Sequence, residues 1–109
     1  MRVIKMQLKQ PLTDRQKSTM VEELLHSVDF EKIHSIMVLT NHVWYPSLEV
    51  PTINQIRSLS RDLLIQALNK QTTIRQGGLN AKYNPESFEL TLHYEVGFKF
   101  TNALNYEER

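Results

Sequence analysis

The residues best suited to acid–base or metal chemistry are the four histidines His26, His34, His42 and His93. No acidic residue follows His34 or His42 at the i+3 or i+4 spacing of compact helical metal sites. His26 ends a predicted helix, where a cation suits the helix dipole, and His93 falls on the polar side of a predicted strand. The pattern therefore indicates surface histidines and predicts no metal site and no cofactor.

Other catalytic patterns are missing from the sequence. There is no cysteine, which excludes cysteine nucleophiles, zinc ribbons and disulfides. With three glycines the chain has no glycine-rich phosphate loop, and no serine has the flanking glycines of a hydrolase elbow. Glu22 and Glu23 fall on the polar face of a predicted helix. A small hydrolase or nuclease is therefore the least favoured of three functional interpretations.

Two glycines are adjacent, at Gly77 and Gly78. Consecutive glycines can form a backbone nest that binds an anion, or a tight turn at the entry to a hairpin. We favour the turn, because an alternating apolar pattern typical of a strand begins directly afterwards at Leu79.

The charge of the chain is uneven along its length. The net charge is +1, which by itself indicates no polyanion partner. The first 17 residues are nevertheless basic, and nucleic-acid binding by this stretch is the second interpretation, with candidate residues Arg2, Lys5, Lys9, Arg15 and Lys17. The aromatic residues of the predicted C-terminal strand alternate with its charges and face the other way, which argues against base stacking.

Aromatic residues suggest a protein interface instead. Trp44 and Tyr45 are adjacent, and two neighbouring side chains of an extended segment point in opposite directions, so one of them is expected at the surface. Exposed Trp and Tyr are typical interface anchors. Phe98 and Phe100, near the end of the predicted C-terminal strand, are the other candidate interaction residues.

The elements that position these residues follow from hydrophobic periodicity. A capping-box spacing at Thr13 precedes a predicted helix over 14–27, and another at Thr52 precedes a helix over 53–69. Between them we predict a short helix over 30–39 that starts at Asp29, followed by an extended piece over 42–45. The alternative is one strand over 35–45, since β-branched and aromatic residues are frequent there.

Alternating residues predict the strands. Ile4, Met6 and Leu8 indicate an N-terminal strand, and residues 79–83 and 88–100 indicate a C-terminal β-hairpin with its turn at 84–87. The predicted fold is α+β: an antiparallel sheet of three to four strands, made of the N-terminal strand and the C-terminal hairpin, with two to three helices packed on one face.

The length of 109 residues predicts a single domain over 1–109, with a frayed tail over 105–109. No apolar run is long enough to span a bilayer or to act as a signal peptide, so we expect a cytoplasmic protein. A strand over 88–100 would be roughly 43 Å long, against roughly 34 Å for the diameter of the domain. Either Gly97 bends the strand back into the core, or the end of the strand is covered by a second copy; we favour the second copy and expect a homodimer.

The order of features resembles small proteins of unknown function encoded by bacteriophages. The resemblance covers about residues 29–96 and depends on the Asp29–His34 segment, Met37, Trp44, Pro51 before a leucine-rich helix, and the glycine pair before a hairpin. It implies an accessory protein that modulates a host or defence protein in the host cytoplasm. The leading interpretation is therefore a non-enzymatic protein-interaction module.

Overall fold

The computed structural model of the chain describes residues 12–44, 49–95 and 98–103. Within them three helices precede four strands: α1 (Asp14–Ser27), α2 (Phe30–Trp44), α3 (Ile53–Lys70), β1 (Thr73–Gln76), β2 (Leu79–Asn84), β3 (Glu89–Tyr94) and β4 (Phe98–Ala103). The strands form one antiparallel sheet in the order β1-β2-β3-β4. The predicted α+β class is confirmed, whereas the strand predicted over residues 4–8 lies outside the described residues.

Reciprocal hydrogen bonds fix the starts of α1 and α3. The Thr13 hydroxyl accepts from the Gln16 amide at 3.1 Å, and the Gln16 side chain accepts from the Thr13 amide at 2.9 Å. Thr52 and Gln55 repeat this arrangement at 3.1 and 2.8 Å. Each box satisfies two amides, one in the first turn and one at the cap, that have no partner within the helix, so both predicted helix starts are confirmed.

Substituting Thr52→Ala is expected to lower the free energy of unfolding by about 0.5–2 kcal/mol, because the first turn of α3 loses its cap. Urea denaturation measures the change, and Thr72→Ala, at an exposed threonine in the loop after α3, is the control. Equal stability of the two variants would show that the cap does not stabilise the helix.

The predicted course of residues 30–45 is wrong in its second half. Asp29 accepts from the Lys32 amide at 3.0 Å, as expected for the start of a helix, but α2 then continues to Trp44. Neither the extended piece over 42–44 nor the alternative strand over 35–45 forms, and Tyr45 lies outside the described residues. The buried residues Phe30, Ile33 and Met37 form the inward face of the first half of α2. Once this half is helical, each further residue adds a backbone hydrogen bond, and this propagation outweighs the β-propensity of the second half.

The long C-terminal strand is also a correction. Two antiparallel strands, β3 and β4, stand in place of the single predicted strand, and the register pairs Tyr94 with Phe98 and Leu92 with Phe100. Phe88 belongs to the preceding turn, with a φ of 59° and a buried ring. The alternating pattern could not show the reversal. Three residues separate Tyr94 from Phe98, so directly paired residues of β3 and β4 are either both even-numbered or both odd-numbered, and the alternation continues unchanged from one strand to the next. The length argument for a dimer therefore fails.

The sheet has one covered face and one open face. Helices α1 and α3 lie against the sheet, and its buried residues are Leu79, Ala81 and Tyr83 of β2 with Leu90, Leu92 and Tyr94 of β3. The alternate residues of both strands form the outer face and are polar. Among the described helices, none is long and apolar enough to cross a membrane.

Candidate functional site

The most exposed large apolar side chains are neighbours on α2. Leu39 is 66% exposed and Val38 is 42% exposed, whereas Met37 beside them is 8% exposed. We call Val38 and Leu39 the apolar patch. Exposed apolar area has no favourable contact within the described structure, so it is available to a partner.

The patch is exposed because α2 packs on the domain through one face only. Phe30, Ile33 and Met37 are buried and follow helical spacing, and α2 contacts α3. The Arg57 guanidinium lies 5.2 Å from the centre of the Phe30 ring and strengthens this contact. Leu39 is two residues beyond Met37, roughly 200° around the helix, and so points away from α3.

The outer face of the sheet carries a second candidate surface. Register pairing aligns Arg75, Asn80 and His93 in one row across β1, β2 and β3, and Thr73, Lys82 and Thr91 in the next row. We call these six residues the basic band. Arg75 and Lys82 are exposed, and within the described residues neither forms an ion pair.

An ion pair joins α1 to α3. The Arg61 side chain donates to both carboxylate oxygens of Glu22, at 2.9 and 3.4 Å. The hydrogen bond from Arg61 lowers the pKa of Glu22 below its ordinary value. Because both side chains are more than a third exposed, the pair contributes at most about 1 kcal/mol to stability. Glu22 therefore links α1 to α3 as the acceptor of this ion pair.

The three histidines whose side chains the structure describes lie on different elements. His26 contacts the Glu22 carbonyl through Nδ1 at 2.7 Å, and His34 and His93 are half-buried on different elements. In the described residues no three histidines, aspartates or glutamates are grouped so as to hold a metal ion.

The predicted interaction residues are not brought together in the described structure. Trp44 is the last residue of α2, and Tyr45 lies outside the described residues. Phe98 and Phe100 are in β4, opposite the buried residues Tyr94 and Leu92. The interface predicted from these four aromatics therefore stays a prediction.

Only two of the five basic candidates lie within the described residues. Arg15 is exposed on α1, and Lys17 donates to the Asn69 side chain at 2.8 Å, which ties it to α3. Arg2, Lys5 and Lys9 lie outside the described residues.

The glycine pair forms the turn between β1 and β2. Gly77 has a φ of 61° and Gly78 a φ of 82°, and the Gly78 carbonyl accepts from the Glu95 amide at 3.0 Å. A Cβ added to Gly78 would lie 3.6 Å from a Glu95 carboxylate oxygen. A carboxylate this close repels an anion, so the turn interpretation is favoured over an anion site.

Sequence reasoning missed Leu39, Arg75 and Lys82. Leu39 was placed at the end of a shorter helix, and Arg75 falls in β1, which was not predicted. A helical wheel over the predicted helix at 30–39 already places Leu39 opposite Phe30. Comparisons of the chain with protein-family models, curated proteins and solved structures found no match.

Proposed function

We propose that the protein is a non-enzymatic interaction module that binds a protein partner through the apolar patch on α2. The observation that carries the proposal is the exposure of Leu39, at 66%, on a helix whose opposite face is buried. The resemblance to bacteriophage accessory proteins supports a partner among host or defence proteins.

The position of the patch supports recognition by a groove or by another helix. Val38 and Leu39 occupy the helix beyond its last described core residue, Met37, and α2 continues to Trp44. Partners commonly receive such a helix through apolar residues on its free face. Trp44 is at the end of the same helix, which keeps it a candidate for the rim of the interface.

Ile65 of α3 provides a contrast. It is 38% exposed, yet it lies in a notch between α1 and α3 beside Lys17 and Asn69, which hydrogen-bond to each other. Polar side chains thus surround this apolar residue, and we expect no partner there.

Leu39→Lys is expected to weaken partner binding by roughly 30-fold or more, the effect of losing about 2 kcal/mol at an interface centre. The wild type and the variant are immobilised, and proteins captured from an extract of the native host cells are quantified. Ile65→Lys, which makes the same change at an exposed apolar residue of another helix, should capture as the wild type does.

Light scattering of the purified proteins shows whether the partner that binds the apolar patch is a second copy of the chain. A wild-type dimer that Leu39→Lys dissociates would show that the partner is a second copy, in agreement with the predicted homodimer. Equal capture by both variants and the wild type, with a monomer throughout, would contradict the proposal. Circular dichroism confirms that the variants remain folded.

A further inference from the structure

The basic band has the composition of a phosphate-binding surface. All six side chains carry a hydrogen-bond donor, none carries a carboxylate, and Arg75 and Lys82 are exposed. Adjacent strands are about 4.8 Å apart and the two rows about 6.8 Å apart along the strands, so the donors lie within reach of one ligand. The register continues the rows to Lys99 and Thr101 of β4, opposite His93 and Thr91.

Two carboxylates lie on either side of the band, in the direction along β3. Glu89 lies on β3 one outer-face position before Thr91, and its side chain accepts from the Ser87 hydroxyl at 3.2 Å. Glu95 lies one outer-face position beyond His93, beside the Gly78 turn. An anion that runs across the strands along Arg75 and Lys82 passes between these two carboxylates, and neither row has a carboxylate among its described residues.

We propose that the basic band binds the phosphate backbone of a nucleic-acid duplex, an activity separate from the proposed function of α2. Arg, Lys, Asn and Thr are common donors to phosphate oxygens. The band contains no Phe, Tyr or Trp on which an unpaired base could stack. Without an aromatic side chain the band offers no stacking for unpaired bases, so we expect a duplex held through its phosphates to bind more tightly than a single strand.

The test is fluorescence anisotropy with a labelled 20-base-pair DNA duplex of arbitrary sequence. If Arg75 and Lys82 neutralise two phosphates, a plot of the logarithm of the binding constant against the logarithm of the salt concentration should have a slope near −1.8. This slope corresponds to roughly 12-fold weaker binding at 200 mM salt than at 50 mM. Arg75→Gln and Lys82→Gln should each reduce the slope by about 1. Both residues are exposed, so the variants should keep the wild-type melting temperature.

Arg15→Gln is the matched control for each single variant, because it removes one charge from an exposed residue of α1 and tests the N-terminal basic stretch. Duplex affinity should be unchanged in this variant. Wild-type affinity of the Arg75→Gln/Lys82→Gln variant would overturn the proposal. So would a loss in the α1 variant equal to that in the single variants, tighter binding of the single strand, or equally tight binding of a glutamate-rich peptide.

Discussion

Leu64→Ala is expected to lower the free energy of unfolding by about 2–5 kcal/mol, the range for truncation of a buried leucine. Leu64 is fully buried on α3, the helix that contacts both other helices and three of the four strands. The Leu64 side chain has no exposed surface, so its truncation leaves a cavity in a close-packed core. Urea denaturation followed by circular dichroism measures the change.

Leu39→Ala is the matched control, since it makes the same substitution in another helix. Leu39 is 66% exposed, so its removal should change stability by no more than about 0.5 kcal/mol. A loss for Leu39→Ala close to that for Leu64→Ala would show that α2 is packed along both faces, and the apolar patch would then be core. Comparison of the two variants thus distinguishes a leucine needed for folding from a leucine whose side chain is exposed to a partner.

Local signals made α1 and α3 predictable. Their capping boxes set the first residues at Thr13 and Thr52, and apolar residues at helical spacing set their extent. In α2 the local preferences conflict, because its second half combines residues typical of strands with a helical apolar stripe. The buried first half, where Phe30 contacts Arg57 of α3, starts the helix, and helix propagation carries it through the second half. The contact with α3 is not visible in the sequence.

Of the three strand pairings, only that of β2 with β3 was predictable. The predicted turn at 84–87 is one residue early, because the turn occupies residues 85–88, Asn84 pairs with Glu89 and Tyr83 pairs with Leu90. The four-residue strand β1 was missed because Thr73, Ile74, Arg75 and Gln76 have too little alternation to be distinguished from a loop. The basic band depends on β1, so it could be recognised only after the register was known.

The candidate sites could not be predicted for a related reason. Sequence patterns indicate which residues are suited to a core, but the exposure of a residue depends on whether its face of the helix or strand packs against another element. Leu39 and Leu64 are the same residue type in two helices, and only the layer arrangement makes one exposed and the other buried.

Gly78→Ala is expected to lower the free energy of unfolding by about 1–3 kcal/mol. The φ of 82° at Gly78 is unfavourable for a residue with a Cβ, and the added Cβ would lie 3.3 Å from the Tyr94 ring. Tyr94 is only 7% exposed, so its ring cannot move away freely from the added Cβ. Chemical denaturation measures the loss.

Gly77→Ala separates the backbone cost from the steric cost. Its φ of 61° falls in the left-handed helical region, and its added Cβ would have an ordinary contact with Leu59 at 3.9 Å. It should cost about 1 kcal/mol, less than Gly78→Ala. A larger loss for Gly77→Ala would mean that the Tyr94 ring does not restrict the turn. If Gly78→Ala instead kept full stability and lost affinity for inorganic phosphate, the glycine pair would be an anion site and the turn interpretation would be wrong.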